Sequence, residues 1–232
     1  MEAVIHKALN YWFTAKPVCL NWWYNQIGIP KTLGTVFILF EKQLTPVEKQ
    51  NAITVMENAK FGMTGQNKVW LAGNVMMRAL LQNDYELVKM ARDTIASEIV
   101  TGGAEGIKDD WCFHQHGAQQ QFGNYGLSFV SGMSFFSGLF SGTSLAFDDK
   151  QLSILSTLID KGYRWVIWKG MMDVNALGRQ LFHHAPVHKA LSLAFAASEL
   201  GGGESDECMA VATALFRDNY PAPAVNVLTG HK

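Results

Sequence analysis

The stretch from Leu127 to Phe147 carries no charged residue, and no other feature constrains the fold as tightly. A helix that is apolar on all sides must be covered, either by lipid or by other helices. At ~20 residues the stretch is long enough to span a bilayer, and Gly138 and Gly142 stand at G-x-x-x-G spacing. Against a membrane role, it holds six Ser and one Thr, and Asp148-Asp149 follow at once. It reads as a buried helix whose small residues admit close neighbours.

The rest of the chain supplies those neighbours. Thr45-Pro46-Val47-Glu48 is a capping box with Pro at the first helical position, and it opens a helix to about Lys60. Apolar residues at helical spacing predict a helix over Lys68–Leu81. A second helix, capped by Asn83, is predicted from Asp84 to Val100 and stopped by Gly102-Gly103. Asp148-Asp149 start a helix to about Trp165, Pro186–Leu200 forms another, and Glu204–Arg217 is the last. Residues 104–124 read as a long polar loop, and 169–185 as irregular. Long loops in compact domains are usually functional. No run of period-two alternation appears. The expected fold class is all-α, built of helical hairpins, with few strands or none.

Composition narrows the function. Hydrophobic residues are 48% and charged residues 17% of the 232, which excludes disorder. A net charge of −1 provides no field for nucleic acid or an anionic membrane. Cys19, Cys112 and Cys208 are widely spaced and form no disulfide framework. No signal peptide is visible at the N-terminus. Aromatic residues reach 12%, with seven Trp, and aromatic faces stack on sugar rings as well as filling cores.

Three segments gather polar and aromatic residues. In Asn21-Trp22-Trp23-Tyr24-Asn25-Gln26-Ile27-Gly28-Ile29-Pro30, adjacent Trp residues point differently on any regular element, so one of them escapes the core. The segment is either a sugar-stacking platform or an aromatic corner. In Thr64-Gly65-Gln66-Asn67, Asn67 is either the N-cap of the next helix or an amide aimed at a substrate carboxylate. In Asp110-Trp111-Cys112-Phe113-His114-Gln115-His116-Gly117, continuing to Phe122-Gly123-Asn124-Tyr125-Gly126, the H-x-H spacing is open to metal binding with Asp109 or Asp110. The alternative is acid–base chemistry by His116 and Tyr125. Arg179 is a fixed cation or a surface ion-pair partner. His183, His184 and His188 form a sequence cluster. No H-E-x-x-H, P-loop, G-x-G-x-x-G or G-x-S-x-G occurs.

Taken in order, N-W-W-Y-N-Q-I-G-I-P, T-G-Q-N, F-H-Q-H-G-A-Q-Q-Q-F-G-N-Y-G and D-V-N-A-L-G-R resemble the catalytic α-domain of polysaccharide lyase family 8. The family comprises hyaluronate, chondroitin AC and xanthan lyases, and the resemblance covers roughly residues 20–180. It implies a partial, incomplete α/α toroid over residues 1–232. It also implies that the toroid's first helices lie before Met1 and the β-sandwich domains after Lys232, the tail P-A-P-A-V-N-V-L-T-G-H-K being the crossing between them. A family glutamate that supports the catalytic pair would lie beyond Lys232.

The implied activity is β-elimination on an acidic, uronate-containing polysaccharide, chondroitin or hyaluronan first. Asn67 would hydrogen-bond the carboxylate, Tyr125 and His116 would act as base and acid, and Arg179 would support Tyr125. Asn21, Trp22, Trp23 and His183 would bind the sugar chain, with no cofactor and no metal. His183 stands where the family often has a second Arg, and Cys112 where a small polar residue is usual. The parent would be extracellular or periplasmic. The rival readings are a carbohydrate-binding relative without catalysis, a metal-dependent glycan hydrolase built on His114, His116 and a carboxylate, and an α-helical scaffold.

Overall fold

The computed structural model describes residues 2–201 and 206–219. The tail read as a crossing into a β-region lies outside them. The described chain forms two compact units, Met1–Met63 with Asn67–Ile95, and Thr64–Gln66 with the residues from Ala96 onward.

The first unit holds helices α1 (Glu2–Ala15), α2 (Ile29–Leu39), α3 (Pro46–Met56), most of α4 (Gly65–Gln82) and nearly all of α5 (Tyr85–Ala96). α3 starts as predicted. The Thr45 side chain accepts from the Glu48 N–H, and the Glu48 carboxylate accepts from the Thr45 N–H at 2.9 Å. Leu9, Phe13, Phe37, Ala52, Met56 and Leu81 form its core. Phe13 stacks on Phe37 with ring centroids 6.0 Å apart. α2, which sequence periodicity did not single out, supplies Phe37 to this core. α5 corrects one predicted cap. Asn83 adopts a left-handed φ of 54° and ends α4. Asp84 caps the next helix, its carboxylate accepting from the Leu87 N–H at 3.0 Å. Asn tolerates the left-handed conformation that a helix C-terminus needs.

The second unit contains α6 (Leu127–Phe140), α7 (Asp149–Thr157), α8 (Ala185–Gly201) and α9 (Asp206–Asn219), together with two minimal antiparallel hairpins. These pair β1 (Gly106–Ile107) with β2 (Phe113–His114), and β3 (Ile167–Trp168) with β4 (Met171–Met172). α6 is the core of the uncharged stretch and packs on α8, which packs in turn on α9. α8 meets them with a buried face rich in Ala190, Ala194, Ala196 and Ala197. Among the described residues no helix is long and apolar enough to cross a membrane. α6 ends at Phe140, before the second glycine of the G-x-x-x-G pair. Gly142 has φ +71° and turns the chain instead of packing a helix face. α7 begins with a second capping box, Asp148 with Gln151, and helical turns continue to Val166 as predicted. The loop 101–125 is less irregular than its composition suggested, because β1 and β2 fold it back on itself.

Candidate active site

Phe122-Gly123-Asn124-Tyr125-Gly126 forms one π-helical turn that leads directly into α6. Such turns are rare and gather at functional sites. The two glycines are required by close approach. A Cβ on Gly123 would lie 2.5 Å from the Ala176 carbonyl oxygen and 2.9 Å from the Leu177 Cα. A Cβ on Gly126 would lie 2.5 Å from the Tyr163 hydroxyl and 2.9 Å from the Phe113 Cβ. Tyr163 is fully buried and donates to the Phe122 carbonyl at 3.0 Å, fixing the turn from beneath. Burial pushes the Tyr163 phenol far above its ordinary range, so it stays a neutral donor. Tyr125, on the same turn, is 8% exposed.

His116 meets Tyr125 edge to face, with ring centroids 4.9 Å apart and planes at 86°. His116 has φ 58° and Gly117 φ 74°, so a non-glycine residue sits in the left-handed region at the tip of this turn. Glu105 holds the tip. Its carboxylate accepts from the Gly117 N–H at 3.0 Å, from the Thr64 hydroxyl at 2.5 Å and from the Gln115 amide. Burial alone would raise the Glu105 carboxyl, but these donors and the neighbouring His116 hold it below its ordinary value. The buried Gln115 also accepts from the Gln66 N–H at 2.9 Å, and Glu98 accepts from the Gly65 N–H at 2.7 Å. The first N–H groups of α4 are thereby satisfied by side chains from the second unit's own segment. Sequence reasoning passed over Glu105. Its only signal was a lone carboxylate in an otherwise uncharged stretch of glycine and alanine.

Asn67 is not a cap. α4 starts two residues earlier, at Gly65, and Asn67 lies within its first turn at 6% exposure. Its Oδ1 is buried without a hydrogen-bond partner among the described residues, as are both side-chain polar atoms of Gln66. A buried polar atom without a partner costs stability, and it is the kind of exception that calls for an explanation.

Arg179 follows Gly178 in an exposed loop. Gly178 lies against the Tyr125 turn, with Gln121 Oε1 and Asn124 Cβ bounding the space beside it. The surface ion-pair reading of Arg179 finds no partner among the described residues. His183 is exposed and its ring lies 3.7 Å from that of His184, with His184 then 6.1 Å from His188. Among the described residues no three His, Cys, Asp or Glu side chains gather as a metal-ligand set. Asp110 is used locally, its carboxylate accepting from the Cys112 N–H. Among the described residues no disulfide joins Cys19, Cys112 or Cys208.

The N-W-W-Y segment belongs to the first unit. The Asn21 side chain accepts from the Trp23 N–H at 3.0 Å, and Asn25 bonds both polar backbone groups of Cys19. Trp22 remains 43% exposed and Tyr24 51%. Trp23 is half-buried, edge-on to Trp70 at 5.5 Å, and the Lys31 ammonium lies over the Trp70 ring at 5.6 Å. The two tryptophans therefore divide as the sequence required, one packed and one presented. Trp70 and Lys31 extend the patch with residues that no motif had marked.

The family model described as "Polysaccharide lyase family 8, N terminal alpha-helical domain" matches residues 1–198. Chondroitinase-AC of Pedobacter heparinus is 31% identical over 75% of this chain, which covers 26% of that protein. Xanthan lyase of a Bacillus species is 27% identical over 74% of this chain, which covers 19% of it. The chain thus spans about a quarter of the length of the first of these relatives and about a fifth of the second. The solved structure of a Paenibacillus xanthan lyase superposes on the whole chain with a TM-score of 0.85 at 21% identity, the match covering 25% of that structure. The all-α, α/α-toroid fold class expected from the sequence is borne out.

Proposed function

This chain belongs to polysaccharide lyase family 8, and from that premise we propose that it carries catalytic machinery for β-elimination on a uronate-containing polysaccharide. Its relatives are named chondroitinase, xanthan lyase and hyaluronate lyase. Chondroitin and hyaluronan are the substrates this reading favours. The observation that carries it is the contact of His116 with Tyr125 on a turn rigidly held by Tyr163 and two glycines without room for a side chain.

The proton on C5 of a uronate is α to a carboxylate and is only weakly acidic while that group is a free anion. The Asn67 amide donates a hydrogen bond to the carboxylate and stabilises the charge that builds on it as the proton leaves. The Tyr125 phenolate takes the C5 proton. The C5–H electron pair becomes the C4–C5 double bond, the C4–O4 bond breaks, and Tyr125 returns the proton to O4 of the leaving sugar. Neutral His116 assists at the carboxylate. Arg179 is the cation that favours the phenolate. Trp22 and Trp23 with Asn21 bind the sugar chain in this scheme, and His183 contributes a further polar contact. Residues 1–232 form the partial toroid of a longer, exported parent that also carries the family's β-domains.

The test is ultraviolet absorbance of the conjugated, unsaturated uronate on incubation with chondroitin, hyaluronan or xanthan. A rise with one polymer that is lost in Tyr125→Phe supports the reading. Saturated products would instead support hydrolysis. Polymer binding without any product, in the chain and in its full-length parent alike, would support a non-catalytic relative.

A further inference from the structure

Lys189, on α8, is a cation at 6% exposure with no carboxylate paired to it among the described residues. Burial lowers its pKa from the ordinary lysine value, and a buried charge persists only where something fixed accepts its hydrogen bonds. Two acceptors do so. One is the Gly123 carbonyl, inside the turn that carries Tyr125. The other is the Gln180 side-chain oxygen at 2.5 Å, on the residue next to Arg179. The Phe182 ring lies beneath the ammonium, 5.9 Å from it. The same two segments already touch where Gly123 packs on Ala176 and Leu177. An apolar residue would fill the space without a desolvation penalty. The lysine ties both segments by directed bonds.

We infer that Lys189 is a positioning residue that locks the Tyr125 turn to the Arg179 loop through the Gly123 carbonyl and Gln180. The inference rests on the proposed roles of Tyr125 and Arg179, while the geometry it claims can be tested without turnover. Lys189 touches no substrate in this scheme. It sets where the phenol stands relative to its supporting cation, so its loss lowers kcat and leaves KM nearly unchanged.

The experiment compares the 232-residue chain with Lys189→Met and Gln180→Ala by NMR of ring-labelled His and Tyr, and by the absorbance assay with chondroitin. His116 is assigned through His116→Gln. His6, which pairs with Glu48 in the first unit, reports on the fold as an internal control. In Lys189→Met the His116 and Tyr125 resonances are expected to move while His6 stays in place. kcat falls at least tenfold, with KM changed less than threefold. Gln180→Ala, at an exposed position, cuts only the Arg179 side. It lowers kcat about threefold and leaves the His116 and Tyr125 resonances where they were. Unmoved His116 and Tyr125 resonances in Lys189→Met overturn the inference whatever the activity. So does joint movement of His6, which would mean a general role in folding. Should Lys189→Met not fold, unchanged kcat in Gln180→Ala overturns it. If the resonances move as expected but the unaltered chain yields no unsaturated product, the positioning role stands and the lyase reading falls.

Discussion

The imidazole of His116 stands edge-on to the phenol ring of Tyr125, 4.9 Å between centroids, although nine residues of chain separate them. Neither side chain sets this contact. His116 is delivered by a strained left-handed turn held at Glu105, and Tyr125 by a π-helical turn seated on Tyr163. Both rings are presented by backbone that has little freedom to relax.

Tyr125→Phe keeps the ring contact and removes only the hydroxyl. Elimination is expected to vanish while chondroitin binding, followed by calorimetry, stays measurable. Retained formation of unsaturated uronate would sink the role of Tyr125 as base.

Asn67→Ala removes an amide that caps nothing and whose Oδ1 is unpartnered. Turnover is expected to fall by about 10²–10³, the size of an oxyanion-type contact. The melting temperature should hold or rise, because an unsatisfied buried group is removed. A lower melting temperature with unchanged kcat would return Asn67 to a structural role.

Glu105→Ala leaves the Gly117 N–H, the Thr64 hydroxyl and the Gln115 amide without their acceptor. A hydrogen bond to a charged group contributes about 1.5–3 kcal/mol net of its exchange with water, and at this half-buried tip water replaces part of what is lost. A stability loss of about 2 kcal/mol is expected in denaturant titration, with kcat reduced as the His116 turn loosens. The Glu105 carboxyl is depressed, so its contribution is present above the ordinary value of 4.5 and lost as pH falls through the lowered one. Matching acid limbs in Glu105→Ala and the unaltered chain would contradict this.

His6 and Glu48 set a pH window in the first unit. The Glu48 hydrogen bond raises the His6 imidazole against the opposing effect of burial. Burial pushes Glu48 up, but the Thr45 and His6 donors outweigh it and its carboxyl lies low. The raised imidazole stabilises fully below 6.5 and stops doing so as pH rises through its folded value. The lowered carboxyl stabilises fully above 4.5 and stops as pH falls through its folded value. Stability from the pair is therefore greatest between those limits. In His6→Gln, the alkaline decline of melting temperature above 6.5 should flatten.

Trp22→Ala removes an exposed ring from the first unit's aromatic patch. KM for polymer is expected to rise about tenfold, ~1.4 kcal/mol of binding, with kcat and melting temperature unchanged. An unchanged KM would remove Trp22 from the sugar-binding surface.

Much of this was legible in the residues alone. Local chemistry determined the capping boxes at Thr45 and Asp148, the helix periodicities, and the need to bury the uncharged stretch that became α6. The four motifs that carry Asn67, His116, Tyr125 and Arg179, taken in order, resembled the family to which the chain belongs. Local reasoning misplaced the α5 cap by one residue, at Asn83 instead of Asp84, and left open whether Asn67 caps α4, because where that helix starts depends on which distant groups satisfy its first N–H donors. For α4 those groups are Glu98 and Gln115, which no window around residue 65 contains. Tertiary structure alone decided that Trp23 is packed and Trp22 presented, and that Glu105 and Lys189 matter at all. Each of these two is a lone charged residue in sequence. What they do is set by acceptors and donors that only folding brings within hydrogen-bond reach, where loss of water makes every unpaired polar group costly.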